Sequence, residues 1–365
     1  MFIRFLHLTE FKNHSQLKFE FTPSINCFTG PNGIGKTNLL DSIYLLCLTK
    51  SFLASSESQN IPHEGTFYSV KGDFLLQKKE RSISCKYQSG KKKLFEEDGI
   101  AYTKLAEHIG KIPVVIVSPG DQELILGGSE DRRKFIDVTL SQIDKNYLKA
   151  LSAYTKTLFQ RNASLKKFNE KKYFDRDLIA FYDQELIKTG NFIFEERKKW
   201  IPELKKNLTR FYKQISNGKE IAEIEYNSDL QNDSFKNLLK ESLQQDRILQ
   251  RTSKGIHKDD LIFTLDGLPA KRYGSQGQQK SYLLSIKLAQ YFFLKEQKKC
   301  SPILLLDDLF DKLDEHRSMF FLHTLAENKI GQVFITDTNE DRIINNFAKI
   351  DTEVKIFNLE KIKNE

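Results

Sequence analysis

Three glycines, Gly30, Gly33 and Gly35, frame Pro31, Asn32 and Ile34 and lead directly into Lys36, Thr37 and Asn38. Glycines at this spacing let successive backbone N–H groups curl around the oxygens of a phosphate chain. The ammonium of Lys36 is then placed to reach β- and γ-phosphates, and the Thr37 hydroxyl to ligate Mg2+. Such a loop works between a strand and a helix, because the helix N-terminus adds unpaired N–H groups and a partial positive charge. The sequence provides both, with an apolar stretch at Ile25–Thr29 and a helical pattern from about Lys36 to Leu48. The expected chemistry is binding of ATP with Mg2+.

Two further segments carry groups suited to the same ligand. Ile303, Leu304, Leu305 and Leu306 form an apolar run that ends in Asp307 and Asp308. A buried strand beside the phosphate-loop strand would bring Asp307 to the Mg2+ shell, with Asp308 as the general base that polarises the attacking water. An apolar strand ending in aspartate is common by itself; its weight comes from sharing a chain with the glycine-rich loop. The other segment, Tyr273 to Lys280 (YGSQGQQK), opens a helix. Ser275 followed three residues later by Gln278 has the form of a capping box, which is a sufficient structural reason for both residues. The functional reading is that Ser275 and the Gly277 amide make a second anion site, able to serve a nucleotide held by another subunit.

These segments need a scaffold, and the pattern predicts one. Residues 2–29 and 66–103 read as strands with turns at Asn13–Ser15, Ser89–Gly90 and Asp98–Gly99, and Pro113–Val117 reads as a short buried strand. From Asp131 to about Gln250 the spacing becomes helical. Leu151, Leu158 and Leu165 recur every seven residues, and Ile201, Leu204, Leu208, Phe211 and Ile215 keep that rhythm. Gly190 and the Asn217–Gly218 pair are expected to break these helices. Strand character resumes at Leu261, Phe263 and Leu265, before a helix at Gln278–Lys298, the strand Ile303–Leu306 and a last strand at Val333–Thr336. One α/β core split by a helical insertion is the expected architecture.

Composition narrows the function classes. Hydrophobic residues at 39% and charged residues at 29% of 365 exclude extensive disorder. The longest apolar run, Leu39–Leu48, contains Asp41, Ser42 and Cys47 and is too short to cross a membrane. The first residues alternate apolar with polar, unlike a signal or transit peptide, so a cytoplasmic protein without a membrane partner is expected. Cys27, Cys47, Cys85 and Cys300, and the seven histidines, show no metal-ligand spacing. The net charge of +8 favours a polyanionic partner. Between Lys78 and Lys93 the basic residues Lys78, Lys79, Arg81, Lys86, Lys91, Lys92 and Lys93 face a single acid, Glu80. Such a run is either a solvated hairpin or a phosphate-contacting surface.

The order of the motifs resembles that of ABC-type ATPase heads of the SMC and RecF group: the glycine-rich loop, Ser-Gln-Gly-Gln-Gln at 275–279, the paired aspartates, then Asp311 and Asp314. The opening LxxFKNH, LxFxF and NxFTGPNGIGKTNLLDSIY is similar to the RecF family in particular. So are Ser118–Asp137 (SPGDQELILGGSEDRRKFID), Gln160–Lys166 (QRNASLK) and Gly255–Leu261 (GIHKDDL), and the similarity runs through essentially the whole chain. It implies an α/β fold, an ABC-type P-loop ATPase head whose mixed β-sheet lobe comes from residues 1–117 and 300–365. An inserted helical lobe or short arm, with the signature motif, would occupy 118–299.

By the same resemblance, Gly30 through Asn38 bind nucleotide, Asp307 holds Mg2+ through water, and Asp308 stands where most such heads use a glutamate base. Ser275, Gly277 and Gln278 contact the γ-phosphate across an ATP-dependent homodimer. Asp311 and Asp314 belong to a loop crossing that interface, and Lys50 matches a basic position after the phosphate-loop helix. Two departures stand out. Transport ATPases carry a glutamine where this chain has Ser118–Pro119, with Asp121 and Gln122 the nearest replacements. The strand ending in Thr336, Asp337 and Thr338 lacks a switch histidine. An aspartate base implies slow hydrolysis, suited to a timed switch.

The resemblance further implies a weak, DNA-stimulated ATPase of recombinational repair and replication. It would bind double-stranded DNA beside single-strand gaps, act with RecR and RecO in loading RecA, and support the SOS response. The residues add an expected DNA surface: Lys78, Lys79, Arg81, Lys91, Lys92 and Lys93, with Arg132 and Arg133 as lesser contributors. A transport ATPase subunit is the first competing class; the missing glutamine and histidine, the helical block and the basic hairpin speak against it. An SMC-like chromosome-organising head is the second; the insertion is short for long arms, and no CxxC hook joins two of them.

Overall fold

The computed structural model describes residues 1–310, 313–327, 330–349 and 354–364. Strands β1 (Phe2–Phe11), β2 (His14–Glu20) and β3 (Ile25–Thr29) precede helix α1 (Lys36–Leu48). Next come β4 (Phe67–Leu76), β5 (Lys79–Gln88), β6 (Leu94–Glu97), β7 (Ile100–Ala101) and β8 (Val114–Val117). Helices α2 (Glu123–Leu126), α3 (Ser129–Ile143), α4 (Lys145–Lys171) and α5 (Arg176–Ile215) lead to β9 (Ala222–Asn227) and α6 (Phe235–Leu249). The chain continues through β10 (Asp260–Leu265), β11 (Leu268–Pro269), α7 (Ala270–Tyr273) and α8 (Gln276–Lys298). It ends with β12 (Ile303–Leu306), α9 (Glu315–Glu327), β13 (Val333–Asp337), α10 (Glu340–Phe347), β14 (Val354–Asn358) and α11 (Leu359–Asn364). Two compact units result, Met1–Asp121 with Leu284–Glu365, and Gln122–Leu283.

In the first unit a parallel sheet has the order β14-β3-β13-β12-β8. Its inner strands are buried on both faces, which is why INCFT and ILLL read as continuous runs instead of alternating. Helix α1 likewise has no polar face: Leu39, Leu40, Ile43, Leu45, Leu46 and Cys47 are all inaccessible. An antiparallel sheet of order β2-β1-β4-β5-β6-β7 completes the unit. The buried amide of Gln332 ties the two sheets, accepting from Ile3 N at 2.9 Å and donating to the carbonyls of Ile3 and Thr22 at 2.8 Å. Strand β14 was not expected from the sequence; it pairs with β3 and makes that strand internal.

In the second unit α4 and α5 lie side by side, and α5 runs for 40 residues, roughly 60 Å. The expected break at Gly190 is absent. A Cβ there would lie 2.6 Å from a ring carbon of Phe235, so this glycine serves close packing inside an intact helix. The Asn217–Gly218 pair does end α5, in left-handed conformation. The stretch read as a helical insertion also contains β9, which pairs antiparallel with β10.

The family-like segments of this unit meet in a buried polar network. Arg197 donates to Asp259 and Asp137, each at 2.8 Å, and to the Tyr147 hydroxyl at 3.1 Å. Arg161, fully buried, joins Asp183, Asp246 and Thr252. His257 takes a hydrogen bond from Tyr154 at Nδ1 and donates from Nε2 to the Thr252 carbonyl, so it is the neutral Nε2–H tautomer. Burial pushes its pKa down to about 4.

Candidate nucleotide site

The loop between β3 and α1 has the strand–loop–helix setting that its composition predicts. Gly35, the residue before α1, has φ of 108°, and a Cβ there would come within 2.5 Å of both Asn13 Oδ1 and His14 Cε1. Only glycine meets both demands. No side chain caps the helix, which leaves its first N–H groups directed into the loop. Lys36 is nearly buried and donates from Nζ to the carbonyls of Gly30 at 2.8 Å and Pro31 at 3.1 Å.

The β1–β2 turn braces this loop from outside. Asn13 donates through Nδ2 to the carbonyls of Gly33 and Ile34, at 3.3 and 3.1 Å. His14 Nε2 donates to the Gly35 carbonyl at 3.0 Å, and Asn38 Nδ2 donates to Asn13 Oδ1 at 2.7 Å. The sequence marks Asn13 and His14 only as a turn and as part of the family-like FKNH motif, not as site residues. Their relation to the loop depends on a strand pairing that spacing alone does not reveal.

The paired aspartates lie close to Thr37 by an unexpected route. Strand β12 is not the neighbour of β3; β13 lies between them. Thr336 on β13 bridges the gap. Its hydroxyl donates to Asp307 Oδ1 at 2.8 Å and accepts from the backbone N–H of Asp308 at 2.9 Å. Thr37 donates to the same Asp307 oxygen, also at 2.8 Å. Burial raises the Asp307 pKa and Asp308 adds to that, while the hydroxyls of Thr37 and Thr336 and the ammonium of Lys36 act against it. Asp308 sits in left-handed backbone with φ of 47°, and its Oδ1 is buried with no hydrogen-bond partner among the described residues. A partnerless carboxylate oxygen is free to accept a proton from a bound water.

Thr37 and Asp307 fit a hard divalent cation, since both offer oxygen. Among the described residues no group of three or more His, Cys, Asp or Glu side chains gathers around one point. A cation here would take most of its oxygen ligands from phosphates and water.

Other expected site residues are placed as follows. Asp121 is turned inward: its carboxylate accepts from Ser118 N at 2.7 Å and pairs with Lys287 at 2.5 Å. Lys50 stands exposed beyond α1. Asp311 lies outside the described residues, and Asp314 accepts from Arg317 N at 2.9 Å at the start of α9. Asp337 is buried against Arg342 at 2.7 Å.

In the second unit, Ser275 and Gln278 form the expected capping box. Ser275 N donates to Gln278 Oε1 at 2.6 Å, and Gln278 N donates to Ser275 Oγ at 3.3 Å. Ser275 is exposed, and Gln278 also donates to Glu220 at 2.7 Å. Gly277 occupies the first turn of α8. Arg132 forms a two-pronged pair with Asp260, at 2.6 and 3.0 Å, and Arg133 donates to the Asp259 carbonyl at 2.7 Å. Both arginines, expected as lesser DNA contacts, are partly buried and engaged within their own unit.

The basic run is divided by the fold. Lys78 and Lys79 stand exposed at one end of β5, and Lys91 and Lys92 beyond its other end, roughly 30 Å away along the strand. Between them Arg81 pairs with Asp98 at 2.6 Å and Lys86 with Glu96 at 2.9 Å. Lys93 is mostly buried on Glu57 and on the Thr49 carbonyl, so it is a structural cation.

With this geometry in view, comparison with known proteins is specific. The family model described as RecF/RecN/SMC N terminal domain matches residues 2–364. The DNA replication and repair protein RecF of Phocaeicola vulgatus is 43% identical over 362 residues, covering 99% of this chain and 97% of that protein. A structure of the recombination mediator protein RecF–ATPrS in the RecFOR pathway superposes with a TM-score of 0.87 at 30% identity, covering 98% of this chain and 96% of the other. The corresponding RecF–ATP structure gives 0.86 at 33% identity, covering 93% and 92%.

Proposed function

Because the chain belongs to the RecF family, within the RecF/RecN/SMC N-terminal domain group, we propose that it is an ATP-dependent DNA-binding switch of replication and repair. The observation that supports this most is the single Asp307 oxygen that accepts from Thr37 and Thr336 together. It links the phosphate loop, the carboxylate pair and a third strand into one preorganised group.

The loop amides and the N-terminus of α1 bind the phosphate chain of ATP, with Lys36 on the β- and γ-phosphates. Thr37, and Asp307 through water, would hold Mg2+, which when bound would supply neutralisation of the phosphate charge. Asp308 orients the attacking water and takes its proton, Oδ1 being the oxygen with no hydrogen-bond partner among the described residues. Ser275, Gly277 and Gln278 of one chain close on the nucleotide of a second, so that ATP makes the homodimer and slow hydrolysis releases it. The exposed lysines Lys78, Lys79, Lys91 and Lys92 contact duplex DNA beside a single-strand gap. RecR and RecO act with the dimer in loading RecA and in SOS induction; two related structures carry the RecFOR pathway in their description.

Sedimentation of wild type and Ser275→Arg on short gapped duplex tests this reading. ATP with Mg2+ is expected to convert wild type to a DNA-bound dimer and to leave the arginine variant monomeric. Equal, nucleotide-independent DNA binding by both proteins would overturn it.

A further inference from the structure

At the far end of the α4–α5 hairpin a cleft of about 460 Å3 opens between the last turn of α4, the connection to α5 and the last turns of α6. It lies within the second unit and uses none of the residues assigned to nucleotide or DNA. Its floor is part of a small apolar core, with Leu165 and Phe168 almost fully buried. Its rim is unusual for a surface: Ile248 is 80% exposed and Tyr173 45%. Single exposed apolar residues are ordinary, but here they edge a concave apolar floor, as at binding clefts. Lys172 and Arg247 are the charged residues of the lining, and both are cations.

From this combination we propose that the cleft docks an acidic peptide segment of a partner protein, with an apolar side chain inserted and flanking carboxylates on Lys172 and Arg247. A single-stranded nucleic acid would also welcome cations and aromatic rings, but it needs open ring faces for its bases. Here the Phe174 ring lies under the Arg247 guanidinium at 4.3 Å. Tyr173 and Phe174 meet Phe168 edge-on, with ring centroids at 4.9 and 5.6 Å. The most exposed apolar surface of the rim is the aliphatic Ile248, which suits a Leu, Ile or Phe side chain. Asn169 and Gln244, also on the lining, offer amides to the peptide backbone.

The test uses the full chain and a fluorescein-labelled peptide in which a Leu-Phe pair is flanked on each side by Asp and Glu residues. Fluorescence anisotropy is expected to show saturable binding that weakens as salt rises from about 50 to 300 mM. Arg247→Glu and Lys172→Glu should each weaken it about ten-fold, and Ile248→Ala about three-fold. Replacing Leu-Phe by Gly-Gly in the peptide should weaken it about ten-fold. Affinity for a fluorescent ATP analogue, unchanged in all three variants, reports that they are folded. Absence of saturable binding overturns the proposal, as does binding that none of the three substitutions alters. Selective loss of a labelled single-stranded oligonucleotide in Arg247→Glu, with peptide binding retained, also overturns it and assigns the cleft to nucleic acid.

Discussion

His14 donates to the carbonyl of Gly35 across 3.0 Å, so a residue of the first β-turn sets the shape of a loop that begins sixteen residues later. A hydrogen bond of this kind contributes about 1 kcal/mol, or roughly five-fold in an equilibrium. His14→Ala should therefore raise the KM for ATP about five-fold with kcat little changed, and His14→Gln should recover part of the loss. Steady-state ATPase assays with a melting curve for each variant decide it. Equal effects on KM and kcat would point to general unfolding.

Thr336 makes a different prediction. Its hydroxyl is the common partner of Asp307 and of the Asp308 N–H. Thr336→Val leaves that buried N–H unsatisfied, at about 1–3 kcal/mol. Hydrolysis should slow roughly ten- to hundred-fold while ATP affinity stays near wild type. Asp308→Asn should go further, binding ATP without turnover and accumulating dimers. Single-turnover assays and sedimentation separate the two; parental hydrolysis by Asp308→Asn would place the base elsewhere.

The division of the basic run predicts unequal effects of similar substitutions. Lys91→Glu and Lys92→Glu should each lower the slope of log affinity for duplex DNA against log salt by about 0.9 per lost phosphate contact. Lys93→Glu should instead lower the melting temperature, because Lys93 is anchored to Glu57 and the Thr49 carbonyl. Titrations at three salt concentrations, with a thermal melt, test both halves.

Acid should weaken the fold through its buried histidines. His257 and His108 are each held neutral by burial, with pKa values pushed down to about 4. In the unfolded chain each titrates near 6.5, so between those values the unfolded state binds more protons. Stability is full above the unfolded value and is lost as pH falls through the window, by about 2 kcal/mol per histidine between pH 7 and 5. Asp183, Asp259 and Asp307, all raised by burial, act with the opposite sign. The difference in urea unfolding between wild type and His257→Gln isolates the histidine: the variant should show the shallower pH slope.

What the sequence discloses here follows the range of the interactions. The phosphate loop, helix Lys36–Leu48, strand Ile303–Leu306 and the Ser275–Gln278 capping box are local, and each is visible from neighbours a few residues away. Gly190 is misleading because its reason is Phe235, distant in sequence. Strand β14, VKIFN, mixes lysine and asparagine with apolar residues at the edge of a sheet whose inner strands are fully buried. Thr336 gains its role only once the order β3-β13-β12 is known. The basic run looks continuous until β6 brings Glu96 against Lys86, and the turn beyond it brings Asp98 against Arg81.

Strand β3 has a further consequence, for synthesis of the chain. Its two sheet neighbours, β13 and β14, are encoded roughly 300 residues after it. At about 5–20 residues per second the ribosome needs some 15–60 s to deliver them. Throughout that interval INCFT has both hydrogen-bonding edges unpaired, next to the leucine-rich α1. A chain truncated before Val333 therefore carries the phosphate-loop strand without either of its sheet neighbours, and is expected to aggregate more readily than the full chain.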